Sequence, residues 1–131
     1  MSQFLKSTAA GVLSGGLTYA ISIYALAFTN ALVMPHGFPI ALWETVVVFG
    51  LGAVLVAFLV HFLAIQLLAA KLLLAFAAFS TTGIVALAVT GLLTHGSNAL
   101  AAWLIGALLA SVAYSRLRSN NSFKPNPHQV R

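Results

Sequence analysis

Residues 46–93 read VVVFGLGAVLVAFLVHFLAIQLLAAKLLLAFAAFSTTGIVALAVTGLL, a run without proline and with a single charge, Lys71. At ~1.5 Å of rise per residue, a helix needs about 20 residues to cross about 30 Å of hydrocarbon. The run is too long for one crossing and suits two, joined by a tight turn between Gln66 and Lys71. Every residue of IQLLAAK, 65–71, favours helix, so Lys71 alone marks the turn.

Two further apolar runs flank this pair, and the spans are expected at about 8–28, 41–66, 72–93 and 98–117. The first connection holds Pro35, Gly37 and Pro39, and the second reads THGSN, 94–98, where Ser97 or Asn98 supplies a helix cap. Both tryptophans, Trp43 and Trp103, fall toward the end that carries these connections, where indole rings favour the membrane interface. The expected fold class is all-α, a polytopic membrane protein built as a four-transmembrane-helix bundle over residues 1–118. From Ser119 the composition turns polar and proline-punctuated, so 119–131 is expected to be a mobile, basic cytoplasmic tail.

Composition excludes the alternative of a soluble domain. The chain of 131 residues is 61% hydrophobic and 5% charged, against about 25% charged in soluble domains, and its mean hydropathy is +1.04. Seven charged side chains cannot clothe a globular surface, so lipid must face the rest. The basic residues are Lys6, Lys71, Arg116, Arg118, Lys124 and Arg131. With both termini and the Lys71 turn in the cytoplasm, all of them lie inside, as the positive-inside rule requires. That pattern explains the net charge of +5 without nucleic acid. A competing reading takes Lys6, the following apolar stretch and Ala25-Leu26-Ala27 as a secretory signal, which would leave three spans. The stretch NNSFKPNP, 120–127, resembles a terminal segment that recurs on otherwise unrelated bacterial proteins. That resemblance implies a tail without a function of its own and covers about eight residues; the expected location of the bundle is a bacterial inner membrane.

The strongest internal pattern is in the first span. Ser7, Gly11, Ser14, Thr18, Ser22, Ala25 and Thr29 follow helical spacing and form a stripe without a large side chain. Gly11 and Gly15 make a GxxxG, which lets two backbones approach closely in lipid. Ala99, Ala102, Gly106, Ala110 and Ala113 form a parallel stripe in the last span, and Ala75, Ala78, Thr82 and Ala86 one in the third. Gly11, Gly15, Ala102, Gly106 and Ala110 are therefore the candidate packing interface, either inside the bundle or toward a second copy or another membrane protein. Ser14, Thr18 and Ser22 are equally suited to lining a narrow polar path.

Glu44 is the only acidic side chain. With a helix starting near Pro39, it sits one to two turns in, where the helix dipole favours an anion and headgroup water is within reach. Together with His36 and His95, also expected on the outer side, it offers a mouth for protons or a cation. The face of the second span beyond it, Val48, Leu51, Leu55, Phe58 and Phe62, is dry. His61 lies about 25 Å along the helix from Glu44. It reads as a neutral imidazole bonded inside the bundle, a side chain reaching the interface beside Gln66, or a proton relay. FSTTG, 79–83, brings three hydroxyls toward mid-membrane and marks a kink or a place where helices or ions meet.

Catalysis is not expected. One carboxylate excludes paired-carboxylate chemistry, the absence of cysteine excludes thiolate chemistry and disulfides, and no phosphate loop or HExxH motif occurs. No catalytic residue, cofactor or metal site is assigned. Small multidrug transporters carry an essential glutamate deep in the first span, and this first span has no acid. Fluoride channels have a membrane asparagine and a TTFS-like break, which FSTTG resembles only loosely. The expected role is a non-catalytic accessory, regulatory or immunity-type membrane subunit acting through helix association. The alternative is a homo-oligomeric channel or transporter for a small ion or proton.

Overall fold

The computed structural model describes residues 2–33, 42–91 and 97–122. They form four helices, α1 (Gln3–Val33), α2 (Leu42–Leu68), α3 (Leu72–Val89) and α4 (Ser97–Ser122), with no strand among the described residues. The fold is an all-α bundle of membrane-protein type. Among the described residues, three stretches, Gly50–Leu68, Leu72–Val89 and Asn98–Ser122, are long and apolar enough to cross a membrane. α1, at 31 residues, exceeds the length required.

The helix ends differ from the sequence expectation for identifiable reasons. α1 begins before residue 8 and runs past residue 28 because no glycine or proline interrupts either flank. α3 stops at Val89 rather than residue 93. Gly91 takes φ +70°, a left-handed conformation favoured at helix ends, and its N–H bonds the Ala88 carbonyl at 3.2 Å. α4 continues to Ser122, so residues 119–122 extend the helix rather than begin the tail. Nothing from Ser111 to Ser122 breaks a helix, and Arg116 and Arg118 can carry it into the headgroup layer.

The α2–α3 turn is three residues, Ala69, Ala70 and Lys71. Ala69 adopts φ +47°, which a residue with a Cβ rarely does. α1 holds this turn in place: Gln3 Nε2 donates to the Ala69 carbonyl at 2.7 Å, and Ser7 Oγ accepts the Lys71 N–H at 2.8 Å. Lys71 is the N-cap of α3 and gives no side-chain cap of its own. Ser7 supplies that cap from another helix and donates its own proton to the Gln3 carbonyl at 2.8 Å. Replacing Ser7 with alanine leaves the Lys71 N–H unpaired, and we expect a loss of about 1–2 kcal/mol, read as a lower melting temperature in detergent.

These contacts place the start of α1 beside the start of α3, so the two helices run parallel; α2 and α4 form the second parallel pair. The parallel pairs make the most extensive contacts, α1 with α2 fewer and α3 with α4 fewer still. Each parallel pair closes on a glycine. A Cβ at Gly11 would collide with the Ala75 carbonyl oxygen and lie 2.5 Å from Ala78 Cβ and 2.8 Å from the Phe79 nitrogen. At Gly106 it would collide with the Val54 oxygen and lie 2.8 Å from Ala57 Cβ and 3.0 Å from the Phe58 nitrogen. Both receiving helices present the same i, i+3, i+4 pattern, with Ala-Phe at its end. The core lies where the pairs meet and contains Ala57, Phe79, Leu87, Trp103 and Ala107. Leu13, Leu17, Leu51, Leu55, Val89 and Leu109 point outward, as lipid-facing residues do.

Candidate functional site

The small-residue stripes are internal from Ser7 to Ser22 on α1 and from Ala99 to Ala113 on α4, while Ala25 is exposed. Gly11 and Gly15 press on α3, with a Gly15 Cβ falling 3.0 Å from Thr82 Cβ. Ala102, Gly106 and Ala110 are buried, Gly106 directly against α2. These faces are thus occupied by helices of the same chain, and no bare glycine face is left at Gly11 or Gly106 for a second molecule. Tight backbone approach provides what the hydrophobic effect cannot provide between helices in lipid.

The inward turn of the α1 stripe buries its hydroxyls. Ser7, Ser14 and Thr18 are each at most 1% exposed, and Ser22 is half-buried. From Ser7 to Ser22 the column covers about 22 Å of helix axis. It meets one titratable side chain, His61 of α2, which has no solvent exposure. Ser14 Oγ lies 2.9 Å from His61 Nδ1, and the imidazole rests edge-on against Phe79, ring centroids 4.9 Å apart. Of the two positions that the sequence leaves open for His61, bonded inside the bundle or at the interface beside Gln66, the first is the one observed. Gln66 is exposed and separate from it.

Hydrogen bonding around His61 is incomplete. A neutral imidazole has one donor nitrogen and one acceptor nitrogen, and His61 Nε2 has no partner. Ser14 Oγ also approaches the Gly11 carbonyl at 3.2 Å. Its one proton therefore serves either that carbonyl or the imidazole. In the first case Ser14 accepts Nδ1–H and Nε2 presents a lone pair. In the second, Nδ1 accepts and Nε2 carries the proton. The two arrangements differ by proton positions alone, and Nε2 is unmatched in both.

Thr18 is one turn along α1 from Ser14, and its Oγ1 is buried without a partner, as is Oγ1 of Thr8. This is unusual within the bundle: Ser80, Thr81, Thr82 and Ser111 all donate to the carbonyl four residues earlier, at 2.8–3.0 Å. That back-bonding accounts for FSTTG, whose hydroxyls are satisfied within an unbroken α3. Ser22 accepts the Trp103 Nε1 proton at 3.1 Å. Trp103 is consequently a core residue, 2% exposed, and not an interfacial anchor. Ser22 satisfies the indole N–H that would otherwise draw the ring to the headgroups.

Glu44 belongs to α2, two residues after Leu42, where the described part of that helix begins, and the expected start near Pro39 lies outside the described residues, as does the Glu44 side chain. His36 and His95 fall outside the described residues. Among the described residues, no three histidine or acidic side chains gather around a metal position.

The pairing of Ser14 with His61 escaped the sequence reading, although each signal was present. Ser14 lies on the small-residue stripe, and His61 shares a face with Gly50, Val54 and Ala57. Both sit about two to three turns from the Ser7–Lys71 contact. Equal depth becomes visible only after that contact sets the register of the helices. No family model, no curated protein and no solved structure matches this chain.

Proposed function

We propose that the protein handles protons inside the membrane without covalent catalysis, with His61 as the carrying group and the hydroxyl face of α1 as its path. The observation behind this reading is the buried imidazole, bonded through Nδ1 to Ser14 and unmatched at Nε2. A histidine in a membrane-spanning helix is costly to bury, and an open nitrogen adds about 1–3 kcal/mol. A purely structural contact would be cheaper with a second hydroxyl. Ser14 can reverse its donor and acceptor roles as the imidazole changes tautomer, and Thr18 offers the next free oxygen one turn away. The path lies within one chain, between α1 and its neighbours α2 and α3.

An accessory role through association would need a surface other than the glycine faces of α1 and α4, because α3 and α2 cover them. Lys71, Arg116 and Arg118 lie toward the same end of the bundle as the start of α1. The positive-inside rule then favours placing that end, and with it both termini, in the cytoplasm of a bacterial inner membrane.

Proton flux into proteoliposomes under an imposed potential, followed with an entrapped pH-sensitive dye, tests the proposal. Wild type is expected to conduct. His61→Phe, which keeps a ring against Phe79, and His61→Gln, which keeps a hydrogen bond but cannot titrate, are each expected to reduce flux at least about tenfold. Helix content and elution volume should match wild type. Correctly inserted wild type without flux, or equal flux in both variants, would return His61 to a structural role.

A further inference from the structure

Where the first turn of α1, the α2–α3 turn and the last two turns of α4 meet, the bundle carries a depression of about 910 Å³. Its rim holds Lys71 and Arg118, with Gln3, Gln66, Asn121 and Ser122 between them, while Phe62 and Tyr114 are among its apolar lining. We infer that this depression binds the phosphate group of an anionic phospholipid headgroup.

The charge on the rim is unbalanced. The one acidic side chain of the chain belongs to Glu44 of α2, about 33 Å of helix axis from Gln66. Among the described residues, the two exposed cations have no carboxylate side chain beside them. Lysine offers a point charge and arginine a fork of donors suited to phosphate oxygens. The neutral amide groups of Gln66 and Asn121 can complete the shell of donors, while the Ser122 hydroxyl already donates to the Arg118 carbonyl at 3.0 Å.

The site is also held in shape. Gln3 clamps the Ala69 carbonyl and Ser7 holds the Lys71 N–H, so the turn that carries Lys71 is tied to α1 at two points. Tyr114 and Phe62 meet edge to face, centroids 6.3 Å apart. Tyr114, Leu117, Arg118, Asn121 and Ser122 share one face of α4 at helical spacing. The turn of α4 beyond Leu117, continuing where a tail was expected, builds this wall.

Depth favours a lipid over a free anion. α4 reaches the length of a crossing near Leu117, so Arg118 to Ser122 stand in the headgroup layer, where basic pockets between helices attract anionic lipid. The apolar rings and Leu117 beside the cations suit the glycerol and first methylenes of such a lipid.

Native mass spectrometry of the full-length protein in detergent, with phosphatidylglycerol or phosphatidylcholine added in equal amounts, tests the inference. Two cation contacts predict a preference for phosphatidylglycerol of about tenfold to thirtyfold. Lys71→Gln combined with Arg118→Gln should remove the preference, while Arg116→Gln, outside the depression, should keep it. All three substitutions are at exposed positions, and elution volume verifies folding. Equal binding of both lipids, retention in the double variant, or the same loss in Arg116→Gln would overturn the site. Displacement of the lipid by millimolar inorganic phosphate would overturn the lipid assignment in favour of a free anion.

Discussion

Gly11→Leu and Gly106→Leu are expected to unfold the isolated bundle, while Gly16→Leu, on the same helix as Gly11, leaves it folded. The difference rests on what surrounds each α-carbon. A side chain at Gly11 meets the Ala75 oxygen and Phe79 nitrogen, and one at Gly106 meets the Val54 oxygen and Phe58 nitrogen. Backbone atoms cannot rotate aside as a side chain can, so the helices of a parallel pair must separate. Separation forfeits the dispersion contacts that hold helices together in lipid. Ordinary overpacking costs about 1–3 kcal/mol, and a clash with backbone belongs at or above the top of that range. Nothing lies within 4 Å of a Cβ at Gly16. Unfolding of the monomer in mixed micelles, followed by circular dichroism, reads the result. Because both faces are internal, the defect must appear in the monomer. A Gly11→Leu monomer that melts like wild type would contradict the parallel packing of α1 on α3.

Trp103→Ala is expected to destabilise the bundle by about 3–5 kcal/mol, the usual cost of emptying a buried aromatic site. The indole is 2% exposed, meets Tyr19 edge to face at 6.0 Å, and packs in the core with Ala57, Phe79 and Ala107. Its Nε1 proton binds Ser22. Trp103→Phe keeps much of the packing and loses that bond, so a smaller loss of about 1–2 kcal/mol is expected. Only two tryptophans occur, so a Trp43→Phe background isolates the signal of Trp103. Its emission should be blue-shifted and resist quenching by brominated lipid acyl chains. Strong quenching in the folded protein would move the ring to the lipid interface and remove the basis of the energetic prediction.

Both predictions depend on which way a helix face points, and here the two levels of information part. The membrane class, the four helices and the turn before Lys71 follow from the sequence, because apolar length and charge placement are additive along a chain. The stripes of α1 and α4 were legible for the same reason, since helical spacing is local. Their partners were not. A glycine stripe serves equally well against a helix of its own chain or of another, and only the register set by Ser7 on Lys71 and Gln3 on Ala69 puts Gly11 against Ala75.

The ends of helices showed the same division. Gly91 takes the left-handed conformation that stops α3, but Ala69, with no favourable local propensity, does so because α1 and the bundle hold it there. Trp103 could be assigned to the interface on composition, yet a single hydrogen-bond acceptor, Ser22 on a helix far away in sequence, brings it into the core. His61 was visible as a residue and became a site only when Ser14 arrived at the same depth from the opposite direction along an antiparallel helix. The sequence alone therefore determined how many helices form and what solvent they require. Tertiary structure decided which polar groups are matched and which are left open, because matching a buried donor is a property of two segments at once.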